Sequence, residues 1–272
     1  MATPAAVTEK QLIHYRNENG IAVIEMDDAP ANTYTHAMMR QLDEAILQAR
    51  MDENAHVIIL RGSGEKFFSA GADIKMLSTS TPEFKYYFCL HANETLGRLE
   101  QTPKLVIAAL NGHCVGGGLE VALAADLRIA RKGAGRVGLP EVGLGVLPGT
   151  GGTQRLLRLV GKARAFELMA SGRLFDFEEA EALGVVTDVV EAADGDAFMA
   201  EVRRRALEYV PPARASKAVG LIKRAVQSGG EMAIAEGLAL ERELQQQLFE
   251  SEDAREGLAA HLAKRAPAFK GR

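Results

Sequence analysis

Residues 111–155 read NGHCVGGGLEVALAADLRIARKGAGRVGLPEVGLGVLPGTGGTQR, and the fold turns on this stretch. It opens on a triple glycine, Gly116, Gly117 and Gly118. It carries two carboxylates among apolar neighbours, Glu120 and Glu141, and closes on a second glycine-rich turn from Pro148 to Gly152. Glycine within a helix costs roughly 1 kcal/mol against alanine, and a buried carboxylate is costly unless compensated. Several local rules broken together point to a functional site.

Working outward, residues 105–110 (LVIAAL) form a buried strand ending at Asn111-Gly112. The glycines then open a helix over residues 119–125, followed by a strand at 127–130. Upstream, residues 56–61 (HVIILR) are a second buried strand, too short and apolar for a helix. A small-residue loop follows it, and then a helix from Asp73 that breaks near Pro82 and resumes over residues 84–99. At the start, residues 11–16 and 21–26 predict a hairpin about Asn19-Gly20. Thr35 is placed to cap a helix carrying Met38, Leu42, Ile46 and Ala49 on one face. A further strand at 185–190 follows a helix at 163–171. Strands alternating with helices predict an α/β fold with a mainly parallel sheet.

From about Asp196 only helices are predicted, with Ser216 and Ser251 as caps and Ile234, Leu238, Leu244 and Leu248 marking one face. The expected organisation is an α/β core over residues 1–195 that holds the site, then a helical region over 196–272. Those last helices pack on the core or on another subunit.

The 272 residues are 47% hydrophobic and 25% charged, with a net charge of -4, which offers no footprint for nucleic acid or a polybasic membrane anchor. No apolar run reaches the about 18 residues of a spanning helix. The two cysteines, Cys89 and Cys114, and a start without a secretory pattern predict a cytoplasmic protein without structural disulfides.

The loop Phe67-Phe68-Ser69-Ala70-Gly71-Ala72-Asp73 runs into a helix, and so does the loop of residues 111–118. Each leaves backbone N–H groups free at a helix start. If the preceding strands are neighbours, one N–H from each converges on a single oxygen: an oxyanion hole, in which one donor is worth about 10²–10³ in rate. Two carboxylates beside such a hole suit proton transfer next to a carbonyl, with pKa values driven apart by burial and repulsion. A lone Glu in a first helical turn is ordinarily a helix-dipole partner, and a lone loop Glu a surface group. Their joint occurrence with two glycine loops favours chemistry.

Other sites fit less well. The glycines lack the G-x-G-x-x-G spacing with an acidic residue about 20 positions on, and Gly161-Lys162 lacks P-loop context. His14, His36, His56, His91, His113 and His261 show no metal-ligand spacing, so no metal is expected. Ser69 stands outside G-x-S-x-G, and His113-Cys114 reads as a strand-end pair in the core.

At these residues the chain resembles the crotonase superfamily, and within it the enoyl-CoA hydratases. The resemblance spans nearly the whole sequence and is densest in FFSAGADIKML (67–77), NGHCVGGGLEVALAADLRIA (111–130) and LPEVGLGVLPGTGGTQRL (139–156). It implies a spiral of ββα units with a helical C-terminal region that builds homotrimers, often paired into hexamers. It implies that the Ala72 and Gly117 amides hold a thioester oxygen, and that the backbone of Ala70, Ala72, Asp73, Ile74 and Lys75 cradles coenzyme A. Phe269 and Lys270 approach the coenzyme of the same or a neighbouring subunit. Glu120 then helps activate a water and Glu141 donates the proton to Cα, with no cofactor beyond the coenzyme A of the acyl-CoA substrate.

Isomerase-like relatives usually keep only the second carboxylate, so the pair favours reversible hydration of a 2-enoyl-CoA. The alternatives are enoyl-CoA isomerisation, acyl-CoA hydrolysis, or an RNA-binding or scaffold crotonase homologue with weak catalysis. Two departures stand out. Asn32-Thr33-Tyr34 replaces the commoner Asn-Ala-Leu, altering the lip over the thioester. Residues 131–136 (RKGAGR) read as a hairpin about one residue longer than usual, which would displace Glu141. Met76, Leu77 and the helix with Tyr86, Tyr87 and Phe88 are expected to line the acyl pocket.

Overall fold

The computed structural model describes residues 10–272, so the reading of the chain's start as leaderless falls largely on residues outside the described ones. Strands β1 (Ile13–Glu18) and β2 (Ile21–Met26) form the expected hairpin, with Asn19 and Gly20 both at positive φ. Helix α1 (His36–Met51) follows, its first turn capped by the Thr35 side chain. A repeat then sets in. A long strand, β3 (Val57–Gly62), and a short one, β4 (Phe67–Ser69), lead into α2 (Ile74–Thr79) and α3 (Pro82–Glu100). Next, β5 (Leu105–Leu110) and β6 (His113–Val115) lead into α4 (Gly117–Leu123). After these, β7 (Leu127–Arg131) and β8 (Arg136–Gly138) lead through a 3₁₀ turn at Glu141–Leu144 into α5 (Gly152–Val160) and α6 (Lys162–Ser171). Finally come β9 (Phe175–Asp176), α7 (Phe177–Ala182), β10 (Asp188–Val190), α8 (Gly195–Leu207), α9 (Ser216–Gly229), α10 (Ile234–Phe249) and α11 (Glu252–Leu262).

The long strands make one sheet in the order β1-β2-β3-β5-β7-β10, and the short ones a second in the order β4-β6-β8-β9. Each turn of the chain adds one strand to each sheet, which is the expected α/β spiral. Side-chain alternation explains the uninterrupted apolar runs. Ile58, Leu60, Val106, Ala108 and Leu110 enter the main core with α1 and α3. Val57, Ile59, Leu105, Ile107 and Ala109 enter a second core closed by Phe198, Met199, Val202 and Ala206 of α8. A strand buried on both faces has no polar side.

Three expectations need correction. Residues 131–136 are not a hairpin: β7 is already paired with β5 and β10, so it offers β8 no edge, and the chain crosses to the other sheet, where β8 pairs with β6 and β9. Ser216 is the first residue of α9 rather than its cap, and its hydroxyl meets His56 Nδ1 at 2.9 Å. Tyr86 and Tyr87 point outward from α3, 65% and 58% exposed, whereas Phe88 is buried.

Candidate active site

β4 and β6 are parallel neighbours, so the two helix starts that follow them lie side by side. The closeness is at backbone level. A Cβ built on Gly71 would sit 2.6 Å from the Gly117 nitrogen, and one on Gly118 2.2 Å from the Ser69 carbonyl oxygen. Only glycine tolerates that approach, and Gly71 and Gly116 also take positive φ. Two buried asparagines hold the loops. Asn32 Nδ2 donates to the Ser63 and Phe67 carbonyls at 3.0 Å, and Asn111 Nδ2 donates to Gly64 at 2.7 Å. The Ser69 hydroxyl bonds the Asn32 carbonyl and accepts the Gly71 N–H.

Within residues 70–75 the amides divide. Ala70 donates to Ala31 and Asp73 to Tyr34, while the Asp73 side chain caps α2 by accepting from Met76. The Ala72 and Gly117 N–H groups have no acceptor among the described residues. Ile74 and Lys75 are exposed at the start of α2.

Glu120 lies in the first turn of α4, only 2% exposed. Its Oε1 accepts the N–H groups of Thr150 at 2.8 Å and Gly152 at 2.7 Å, and its Oε2 accepts the Thr150 hydroxyl. The turn at residues 148–152 is therefore a cradle for this carboxylate. It is braced from α3, where Asn93 donates to the Gly149 carbonyl, and by Arg155, which donates to the Thr150 carbonyl and pairs with Glu100 at 2.7 Å. Burial pushes the Glu120 carboxyl up, and the Thr150 and Gly152 donors and the Arg155 charge pull it back.

Glu141 enters by a different route. β8 pairs with β6, and the Gly116 N–H donates to the Gly138 carbonyl at 2.9 Å, which sets the following 3₁₀ turn against the glycines. A Cβ on Gly116 would lie 3.0 Å from Glu141 Oε1. Glu141 Oε2 is buried without a hydrogen-bond partner. Burial, with the Glu120 charge beyond it, pushes the Glu141 carboxyl up to about 7. Both carboxyls are raised on balance, but three donors meet the charged form of Glu120, whereas Glu141 keeps an unpaired oxygen.

The sequence reading missed Thr150 and the Tyr34 hydroxyl, 3.3 Å apart. The glycines flanking Thr150 flagged the turn but not its donors. Cys89 borders the same turn, its Sγ 3.2 Å from where a Cβ on Gly149 would be. Cys114 is fully buried, and His113 Nδ1 accepts the Arg136 N–H, so this pair is structural. Phe269 and Lys270 are not brought to these groups. Phe269 packs on Gly257 of α11, Lys270 pairs with Glu252, and Gly271 lies against His56 and Ser216, beside the opposite end of β3. Among the described residues no group of three His, Cys, Asp or Glu could hold a metal, and no helix is long and apolar enough to cross a membrane.

Two unpaired amides at neighbouring helix starts, with a donor-bound carboxylate and a raised one beside them, make a candidate acid–base site. Residues 16–272 match the family model described as Enoyl-CoA hydratase/isomerase, and the chain belongs to that family. It is 37% identical over 250 residues to a short-chain-enoyl-CoA hydratase of Clostridium acetobutylicum, covering 91% of this chain and 93% of that one. It is 35% identical to the mitochondrial methylglutaconyl-CoA hydratase of Rattus norvegicus over 97% of this chain and 84% of the other. A crystal structure from Geobacillus kaustophilus superposes with a TM-score of 0.93 at 43% identity, covering 97% and 98% of the two chains. An enoyl-CoA hydratase structure from Bacillus anthracis gives 0.89 at 34%, covering 96% and 100%.

Proposed function

We propose that this chain is an enoyl-CoA hydratase that adds water reversibly across the 2,3 double bond of a 2-enoyl-CoA. The observation that carries the reading is the pair of unlike carboxylates beside two unpaired amides. The Ala72 and Gly117 N–H groups take the thioester oxygen as negative charge builds on it. Glu120, the anion, draws a proton from the water that attacks C3. Glu141, the acid, delivers a proton to C2, and the reverse reaction retraces both transfers. Water adds without net oxidation, so the reaction needs no redox group, the two amides take the oxyanion charge that a Lewis-acid metal would otherwise hold, and coenzyme A is part of the substrate. The free amides of Ile74 and Lys75 lie next to Ala72 and are suited to the coenzyme.

The helical region is proposed to build a homotrimer, or trimers paired into hexamers. Large apolar side chains stand exposed along it, among them Ile222, Val226, Ile234 and Leu262, more than a lone soluble chain normally leaves open. Phe269 and Lys270 would then serve a neighbouring subunit's coenzyme. Light scattering should give three or six times 29.2 kDa. The two cysteines are free and fit a reducing compartment, so we place the protein in the cytoplasm.

The test is hydration of crotonyl-CoA by the wild type, E120Q and E141Q. Each variant is expected to lose about 10²–10⁴ in kcat, the worth of a general acid or base. Undiminished hydration in both variants would overturn the reading. Double-bond isomerisation that survives in E120Q but not E141Q would replace it with an isomerase.

A further inference from the structure

Tyr34 occupies the position where the resemblance leads one to expect leucine, and it meets both glycine loops and the turn that cradles Glu120. Its backbone brackets Ala72: Tyr34 N–H donates to Gly71 at 2.9 Å, and its carbonyl accepts from Asp73 at 3.1 Å. Its ring is 2% exposed and lies 6.0 Å from that of Phe88. A Cβ on Gly117 would fall 1.9 Å from the Tyr34 hydroxyl oxygen, so the phenol is seated directly on the amide-bearing glycine. Among the described residues the hydroxyl has one partner, Thr150 Oγ1, at 3.3 Å.

The direction of that contact follows from counting protons. A threonine hydroxyl has a single hydrogen, and Thr150 directs it to Glu120 Oε2. Thr150 must therefore accept from Tyr34. Burial, and then the Glu120 charge, raise the Tyr34 pKa, so the phenol keeps its proton to donate. The chain Tyr34 to Thr150 to Glu120 is a hydrogen-bond relay in which each donor polarises the next.

We propose that Tyr34 is a positioning residue for Glu120, its phenol locking the Thr150 hydroxyl in the orientation that donates to the carboxylate. The proposal rests on Glu120 being the base of the hydration reaction. Without the phenol, the Thr150 hydroxyl has no fixed donor and is free to rotate away, and the Glu120 anion loses part of its support. The charged and titratable groups facing this chain are Glu120, Glu141, Cys89 and Arg155. Of these, Glu120 is the one bonded to Thr150. At 3.3 Å the Tyr34–Thr150 contact is longer than a strong O–H···O bond, so a modest effect is expected.

The experiment compares Y34F, T150S, T150V and Y34F/T150V, with E120Q as reference, in crotonyl-CoA hydration across pH. Y34F keeps the ring and removes the hydroxyl. It should lower kcat about three- to tenfold, the worth of one hydrogen bond, and leave KM within about twofold. The acidic limb of kcat/KM should move to higher pH, because the Thr150 donor to the ionised form of Glu120 is no longer held in place. T150S should stay near wild type. Y34F should cost nothing further in the T150V background, since the relay is already cut. An unmoved acidic limb in Y34F, or an equal Y34F loss with Thr or Val at 150, would overturn the proposal while leaving the hydratase reading intact. Full activity in E120Q would instead remove the reading on which it rests.

Discussion

The turn at residues 148–152 and the turn at Glu141–Leu144 both serve a glutamate, and they treat it in opposite ways. The first turns two backbone amides and a hydroxyl toward Glu120. The second leaves Glu141 Oε2 buried and unpaired. Two identical side chains thus meet different surroundings: one turn gives three donors to the charged form, and the other leaves one carboxylate oxygen buried without a partner. Under the proposed hydration, which needs one base and one acid, this contrast is the ground for taking Glu120 as the base and Glu141 as the acid.

Damage to what the two carboxylates share should give the largest effect. In G71A the new methyl would meet the Gly117 nitrogen at 2.6 Å, on a backbone at φ +88°. Losing the paired amides should cost about 10²–10³ in kcat, with both limbs of the pH profile unmoved; a shifted limb would show that Gly71 serves a carboxylate instead.

A smaller effect separates the two. T150V removes one donor from Glu120 and none from Glu141. Hydration should fall about tenfold, the worth of a hydrogen bond to a charged group, and the acidic limb of kcat/KM should rise in pH. The basic limb, set near pH 7 by Glu141, should stay; if it moved, the two carboxylates would have to be treated as one coupled acid.

The smallest effect is on stability. The folded pKa of Glu141 lies above its ordinary value, so between about 4.5 and 7 the native state binds more protons than the unfolded state, and stability falls as pH rises. Gln does not titrate, so E141Q should match the wild type at low pH and gain by pH 8. The gain in melting temperature should be about 2–4 °C for each kcal/mol recovered. A constant difference across pH, measured by thermal unfolding, would mean that Glu141 is not destabilised by burial.

Much of this was legible in residue type and spacing. LVIAAL could only be a strand with two apolar faces. The triple glycine could be explained only by a close approach, and Gly71 and Gly118 supply it. RKGAGR misled because hairpin and crossover have the same local chemistry, and only the pairing of β7 on both edges tells them apart. Tyr86 and Tyr87 misled because a helix with apolar residues on several faces does not declare which face the sheet will cover.

Amphipathic period, glycine placement and two carboxylates in apolar company are local properties, and from them the sequence alone determined the α/β class and singled out Glu120 and Glu141, while the spiral followed from the family resemblance. Which glutamate meets donors was decided only by tertiary structure. The donors to Glu120 come from residues 30 and 32 positions later, and Tyr34 meets Thr150 across 116 positions. A pKa is set by what surrounds a group in space, and no spacing along the chain encodes that.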